Sequence, residues 1–149
     1  MKRTVESHSA RQTWQAGCDM GREAHPGQVV TLIGDLGTGK TVFTQGFAAG
    51  LGIMESVNSP TFTILQVYED GRLPLYHYDV YRIGDSEEIL ETGWDEYAGS
   101  QGVCLIEWAD MIEDLIEELP PEDIVRVEIR KDLQKGFDYR EIIISLDEG

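Results

Sequence analysis

Two short, almost continuous apolar segments mark the chain, at residues 28–33 and 103–106. Runs of this kind are typical of parallel strands that lie in the middle of a sheet and are covered on both faces. Helical spacing follows the first run, where Phe43, Phe47 and Leu51 recur at i, i+4 and i+8 before a glycine. Buried strands interleaved with amphipathic helices predict an α/β fold.

The other segments add helices beside these strands and an antiparallel end to the sheet. The pattern predicts a first helix capped by Ser9, extended segments at 62–68 and 73–80, a short helix capped by Ser86, and an acidic amphipathic helix over 111–119. Alternating positions over 125–130, then a turn and an apolar segment at 139–146, predict a hairpin. We therefore predict one domain over residues 1–149, a three-layer sandwich with a mixed, mainly parallel central sheet and a C-terminal antiparallel hairpin.

Charge and composition exclude several kinds of partner. Acidic residues outnumber basic ones by 28 to 12, which gives the 149-residue chain a formal net charge of −16. Such a surface is unsuited to binding nucleic acid or anionic lipid by itself, because phosphate recognition needs clustered Lys and Arg. The two cysteines, Cys18 and Cys104, are expected to be buried thiols of a reducing compartment. No apolar run approaches the length of a membrane span or signal peptide, so we expect a cytoplasmic protein without a membrane partner.

A phosphate-binding loop follows the first apolar run, because residues 34–41 match the pattern G-x4-G-K-[ST] in full. Its glycines allow consecutive backbone N–H groups to converge on a phosphate at a helix N-terminus. Lys40, expected to be exposed at the loop, should reach the β- and γ-phosphates, and the Thr41 hydroxyl should ligate Mg²⁺. The context predicts a P-loop NTPase-like fold. The residues expected to bind the nucleotide here are Gly34, Asp35, Leu36, Gly37, Thr38, Gly39, Lys40 and Thr41.

A phosphate loop needs acidic residues as well, because Mg²⁺ takes oxygen ligands and hydrolysis needs a positioned water. Glu107 follows directly on the second apolar run, and Asp79 ends the extended segment LYHYD. Sheets of the α/β class bind ligands at such strand ends. The sequence does not decide which of the two acids holds the metal, and an ordinary solvated carboxylate is the alternative for each. For His77, a packed or surface histidine is favoured over a catalytic one, because phosphoryl transfer does not require a histidine.

Four ordered segments together resemble the bacterial TsaE (YjeE) family, whose members are ATPases required to make threonylcarbamoyladenosine on tRNAs that read ANN codons. The segments are GDLGTGKTVFTQGFAAGLGI at 34–53, VNSPTFTILQVYE at 57–69, LYHYDVYRI at 75–83 and VCLIEWAD at 103–110. The resemblance covers most of the chain. It implies an ATPase that binds Mg-ATP and acts in the modification of position 37 of these tRNAs.

The resemblance also implies roles for individual residues and partners. Lys40, Asp79 and Glu107 would be catalytic, with Lys40 on the phosphates, and Thr41, Asp79 and Glu107 would serve the metal or the attacking water. Thr61, in a segment like switch I, would lie close to the γ-phosphate, and Trp108 beside the nucleotide. The implied partners are a transferase subunit of the TsaD type and a subunit of the TsaB type, so that tRNA is contacted only indirectly, through the complex.

Two further hypotheses stay open on the residues alone. A small-molecule P-loop kinase is one, although such enzymes usually bring several arginines in a mobile lid, and the eight arginines here do not cluster. A binding module with negligible hydrolysis, in which ATP orders residues 59–63 for a partner, is the other. A GTPase is disfavoured because the sequence contains no NKxD-type guanine motif.

Overall fold

The computed structural model describes residues 2–34, 39–57, 65–80 and 87–146. Within these ranges, seven strands form one sheet, with helices on both sides. The strands are β1 (Lys2–Ser7), β2 (Val29–Ile33), β3 (Leu65–Tyr68), β4 (Leu75–Asp79), β5 (Val103–Glu107), β6 (Ile124–Lys131) and β7 (Arg140–Leu146). The helices are α1 (Ala10–Glu23), α2 (Lys40–Gly50), α3 (Glu87–Leu90), α4 (Trp94–Tyr97) and α5 (Glu113–Ile116), and short 3-10 turns cover Ala109–Ile112 and Pro121–Asp123.

The sheet has the strand order β1-β7-β6-β2-β5-β4-β3. Its four central strands, β6, β2, β5 and β4, run parallel. The pairs β3–β4, β6–β7 and β1–β7 are antiparallel. The predicted mixed sheet and C-terminal hairpin are therefore confirmed, with the parallel part confined to the centre. This order also brings the carboxyl ends of β2, β5 and β4 side by side at one edge of the sheet.

Helices cover both faces of the sheet, and each face has its own apolar core. Successive residues of β5 alternate between the two cores, since Leu105 packs with α1 and α2 while Cys104 and Ile106 face the other side. The first core contains Met20, Leu32, Phe43, Phe47 and Leu51, and the second contains Tyr78, Ile89, Trp94, Ile112 and Ile116. The predicted three-layer α/β arrangement is confirmed.

The N-terminal strand β1 has no counterpart among the predicted elements. It pairs antiparallel with β7 at the edge of the sheet, and most of its side chains are exposed. Because strand prediction depends on an apolar face, a polar edge strand held by backbone hydrogen bonds gives no such signal. The buried Ser7 hydroxyl lies 2.7 Å from the Thr13 hydroxyl, which ties the end of β1 to α1.

The acidic helix predicted over 111–119 is wrong in length. The chain there forms a 3-10 turn followed by the single short turn of α5. Ile112, Leu115 and Ile116 are all buried at spacings of three and four residues, and this local spacing mimics a longer amphipathic helix. Pro120 follows shortly after, and proline cannot continue a helix.

Two other expectations are confirmed. The Ser9 side chain caps α1, because its hydroxyl oxygen accepts a hydrogen bond from the backbone N–H of Gln12 at 3.2 Å. Cys18 and Cys104 are buried free thiols, and burial raises the pKa of Cys104 to about 12. That thiol is therefore uncharged near neutrality and a poor nucleophile. In the part of the chain that the structure describes, no helix has both the length and the apolar content needed to cross a membrane.

Helices α1 and α2 touch backbone to backbone through glycines. A Cβ atom at Gly46 would lie 2.0 Å from the carbonyl oxygen of Trp14, and one at Gly17 would lie 2.2 Å from that of Phe43. A Cβ atom at Gly21 would likewise lie 2.2 Å from the carbonyl oxygen of Phe47, and one at Gly50 would lie 2.2 Å from that of Cys18. No residue with a side chain fits at such distances. The position of α2, and of Lys40 in its first turn, is therefore set by direct contact with the α1 backbone.

Replacing Gly46 with alanine is expected to destabilise the fold by about 2–4 kcal/mol, because the added methyl group overlaps the Trp14 carbonyl and must force the helices apart. Alanine would otherwise stabilise a helix interior by about 0.5–1 kcal/mol, so the sign of the change is itself informative. Urea unfolding measures it. Ala49→Gly, on the exposed side of α2, is the matched control and should lose only about 1 kcal/mol of helix propensity. A Gly46→Ala protein as stable as the parent would contradict the close contact.

Candidate functional site

The phosphate-loop segment joins β2 to α2 in the strand–loop–helix order that the sequence predicts. Gly39 is the N-cap of α2 and adopts a left-handed conformation, with φ 101°. Gly39 has no side chain that could cap α2, and the first turn of the helix carries no acidic residue. The backbone N–H groups of that turn therefore present a partial positive charge, which suits an anion.

Lys40, in the first turn of α2, is buried, with 7% of its surface exposed. Its ammonium group donates a hydrogen bond to the carbonyl oxygen of Gly34 at 2.5 Å. The same Nζ atom lies 3.4 Å from the centre of the Trp108 ring, within the range of a cation–π interaction. The expectation of an exposed loop lysine is therefore wrong, because the chain that follows β5 folds across it.

Trp108, the residue after β5, is the side chain that covers Lys40. Trp108 has φ 62°, which makes it the one residue other than glycine with a positive φ in the described ranges. That conformation costs about 1–2 kcal/mol for an L-residue. The Trp108 backbone N–H donates to the carbonyl oxygen of Leu32 at 3.1 Å, which ties the turn to the end of β2. The turn at the end of β5 thus aims the indole ring at the phosphate-loop lysine.

Glu107, the last residue of β5, is buried beside a histidine. Its Oε2 lies 2.7 Å from Nε2 of His77, and the side chains are 3% and 1% exposed. An ionised carboxylate only accepts hydrogen bonds, so Nε2 of His77 is the donor. The other ring nitrogen, Nδ1, is buried and has no partner among the described residues.

Asp79 ends β4 and is half-buried. It is the register partner of Glu107 in the parallel pair β4–β5. Register partners in a parallel sheet point to the same face, which here is the face that α1 and α2 cover. Lys40, Asp79 and Glu107 consequently lie at the same carboxyl edge of the central strands, where α/β proteins bind ligands.

The available oxygen donors suit a hard cation that keeps other ligands. In the described ranges, no group of three or more His, Cys, Asp or Glu side chains is arranged to hold a metal ion alone. Among the described residues, the oxygen donors at this edge include the Thr41 hydroxyl, on the exposed side of the first turn of α2, and the carboxylates of Asp79 and Glu107. Mg²⁺ usually keeps water and phosphate oxygens beside one or two protein oxygens, so this sparse set fits Mg²⁺ with a phosphate chain.

Five of the sequence-predicted site residues are not part of this geometry. Asp35, Leu36, Gly37, Thr38 and Thr61 lie outside the described residues, and their roles stay predictions. Two contacts were missed by sequence reasoning, namely Trp108 over Lys40 and His77 on Glu107. The sequence contains a signal for the contact of His77. In LYHYD, His77 and Asp79 are two positions apart, so their side chains share one face of the strand and His77 lies on the face of the candidate acidic residue.

Comparison with known proteins agrees with this architecture. A family model described as threonylcarbamoyl adenosine biosynthesis protein TsaE matches residues 7–142. The tRNA threonylcarbamoyladenosine biosynthesis protein TsaE of Bacillus subtilis is 58% identical over 122 residues, which cover 82% of this chain and 72% of the relative. The protein of the same name from Treponema pallidum is 46% identical over 112 residues, 75% of this chain and 82% of the relative.

A solved structure shows the same fold. The crystal structure of Bacillus subtilis YdiB matches with a TM-score of 0.81 and 42% sequence identity, and the match covers 99% of this chain and 87% of that one. The sequence resemblance drawn from the four segments is thereby confirmed. With the family model covering most of the chain and a relative more than half identical, this chain belongs to the TsaE family of threonylcarbamoyl adenosine biosynthesis proteins.

Proposed function

We propose that this protein is the Mg-ATP-binding subunit of a tRNA-modifying system and that it hydrolyses ATP weakly. In this proposal, hydrolysis is coupled to the turnover of a TsaB–TsaD transferase complex, which forms threonylcarbamoyladenosine at position 37 of tRNAs reading ANN codons. The activity is cytoplasmic, and the protein meets tRNA through the complex. Membership of the TsaE family and the names of its relatives support the pathway.

One observation carries the ATPase part of the proposal. The phosphate-loop lysine and two carboxylates from neighbouring parallel strands share one face at one edge of the sheet. Lys40 has the charge and position to bind the β- and γ-phosphates once it leaves the Gly34 carbonyl. Thr41 and Asp79 would hold Mg²⁺, which when bound neutralises charge on the phosphate oxygens.

We assign to Glu107 the role of orienting the water that attacks the terminal phosphate. Its buried carboxylate is held on one side by His77, 2.7 Å from Oε2, which restricts the orientation of the side chain. A fixed carboxylate is suited to orienting a water for attack on the terminal phosphate. Thr61, Trp108 and the loop residues Asp35, Leu36, Gly37 and Thr38 complete the proposed nucleotide contacts.

Isolated turnover is expected to be slow. Catalysis of phosphoryl transfer usually needs an arginine that stabilises charge in the transition state. Arg72 donates to the carbonyl oxygens of Gly21 and Ala24 at the end of α1, and Arg126 pairs with Glu113 at 2.7 Å. Since these described arginines serve the fold, we expect the partner subunits to raise the rate.

Titration with Mg-ATP tests the proposal first, and reconstitution tests the coupling. The purified chain should bind Mg-ATP in a calorimeter and release inorganic phosphate slowly, at a rate that rises with the TsaB- and TsaD-type subunits. Threonylcarbamoyladenosine formation should continue over many turnovers only when the chain and hydrolysable ATP are both present. Absence of binding heat would overturn the proposal.

Two outcomes would favour the competing functions. A kinase would transfer the γ-phosphate to a small acceptor instead of releasing it as inorganic phosphate. A binding module would support many turnovers equally well with a non-hydrolysable ATP analogue. Each result is distinguishable from the ATPase result in the same set of reactions.

A further inference from the structure

We propose that His77 is a positioning residue for Glu107, holding one carboxylate oxygen so that the other is presented at the carboxyl edge of the sheet. The inference rests on the proposed ATPase function, whose site it deepens. Its basis is the 2.7 Å contact between Nε2 of His77 and Oε2 of Glu107, inside the core.

The register of β4 and β5 shows that His77 and Glu107 are not directly opposite each other in the sheet. His77 stands opposite Leu105, and Glu107 stands opposite Asp79. The hydrogen bond therefore runs diagonally, from Glu107 back along the sheet to a residue two positions deeper on β4. A glutamate side chain has several freely rotating bonds, and a diagonal bond of this kind removes most of that freedom. Glu107 is thus held against the sheet and cannot swing freely into the site.

A purely structural role explains His77 poorly. The side chain lies on the apolar face of β4, in line with Leu75 and across from Leu105, both of which are fully buried. An apolar residue would pack there without the cost of burying a polar ring. Nδ1 finds no partner in the described part of the chain, so one of the two ring nitrogens gains nothing from the core. Among the described residues, the hydrogen bond to Glu107 is the polar interaction that offsets the free-energy cost of burying the His77 ring.

In this proposal the two oxygens of the Glu107 carboxylate have different roles. Oε2 accepts the hydrogen bond from His77, and in this proposal Oε1 is the atom that orients a water or the solvation shell of a bound cation. In the proposed function nucleotide affinity depends on Lys40, Thr41 and the loop, whereas His77 makes its hydrogen bond to Glu107. Loss of the histidine should therefore slow the chemical step and leave ATP affinity nearly unchanged.

The test compares three substitutions by phosphate release, ATP KM, nucleotide affinity and melting temperature. His77→Phe keeps a flat ring without the donor, and we expect kcat to fall about tenfold or more with affinity within about threefold of the parent. His77→Gln can place an amide N–H near the position of Nε2, and we expect kcat to recover to within about threefold of the parent. His25→Phe, at an exposed histidine away from the site, is the control and should match the parent.

A second readout does not depend on activity. The chain has three histidines, so the ring nitrogens of His77 are identified by NMR as the signals that His77→Gln removes. We expect the tautomer with the proton on Nε2, and we expect these signals to move in Glu107→Gln while those of His8 and His25 stay in place. A ring without a proton on Nε2, or ring signals that do not shift in Glu107→Gln, would overturn the proposal.

The kinetic outcomes separate this inference from the proposed function. If the parent releases phosphate and His77→Phe keeps its kcat, the positioning role is wrong. If His77→Phe and His77→Gln lose the same activity together with melting temperature, His77 is only structural, and the proposal is again overturned. If the parent releases no more phosphate than Glu107→Gln, the proposed ATPase fails, and the NMR result alone decides whether His77 positions Glu107.

Discussion

Replacement of Lys40 with alanine is expected to weaken Mg-ATP binding by about 100-fold or more, since an ammonium group facing phosphates in a sheltered site contributes roughly 3 kcal/mol. The buried position of Lys40 sharpens this expectation, because the charge is held where water screens it little. Isothermal titration calorimetry with Mg-ATP measures the effect.

The same substitution should leave the protein folded. Alanine removes a buried charge together with its contacts to the Gly34 carbonyl and the Trp108 ring, and these two groups are themselves uncharged. Lys135→Ala, on the exposed turn of the β6–β7 hairpin, is the matched control for loss of a lysine and should bind as the parent does. Undiminished ATP affinity in a folded Lys40→Ala protein would remove the phosphate-binding role of Lys40.

Replacement of Glu107 with glutamine should impair hydrolysis and spare binding, in contrast to Lys40→Ala. We expect ATP affinity within about threefold of the parent and phosphate release slowed about 100- to 1,000-fold. The amide keeps the size of the side chain and an oxygen that can accept from His77, but it lacks the negative charge that orients a water or a cation. Single-turnover and steady-state phosphate release measure the change.

Modification should follow the same pattern. With Glu107→Gln, reconstituted threonylcarbamoyladenosine formation is expected to stop after the first turnover, because ATP binds and is not consumed. Glu118→Gln, an exposed residue after α5, removes one negative charge elsewhere and should leave both rates unchanged. Hydrolysis at the parent rate in the Glu107 variant would show that another group orients the water.

The parts of the fold that could be predicted are those in which local sequence decides burial. The strands β2 and β5 are buried on both faces, and both were predicted from their nearly continuous apolar runs. The strand–loop–helix order around Lys40 was predictable for the same reason, because glycines between a buried strand and a helix have few other uses.

The parts that could not be predicted depend on contacts between distant segments. Lys40 is buried only because the turn at Trp108 brings an aromatic ring across the sheet edge, and no pattern near residue 40 encodes that turn. The hydrogen bond between His77 and Glu107 depends in the same way on the pairing of β4 with β5. β1 escaped detection because a polar edge strand is held by its neighbour's backbone.

The glycine contact between α1 and α2 restricts how this family member can evolve. A clash between two side chains can be relieved by a compensating mutation at either position. A clash between a side chain and a main-chain carbonyl has no such remedy, since every amino acid carries the same carbonyl. Gly17 and Gly46 each face an oxygen of this kind. Selection for second-site suppressors of Gly46→Ala should therefore return reversion to glycine or changes that strengthen the fold elsewhere, and none at Trp14.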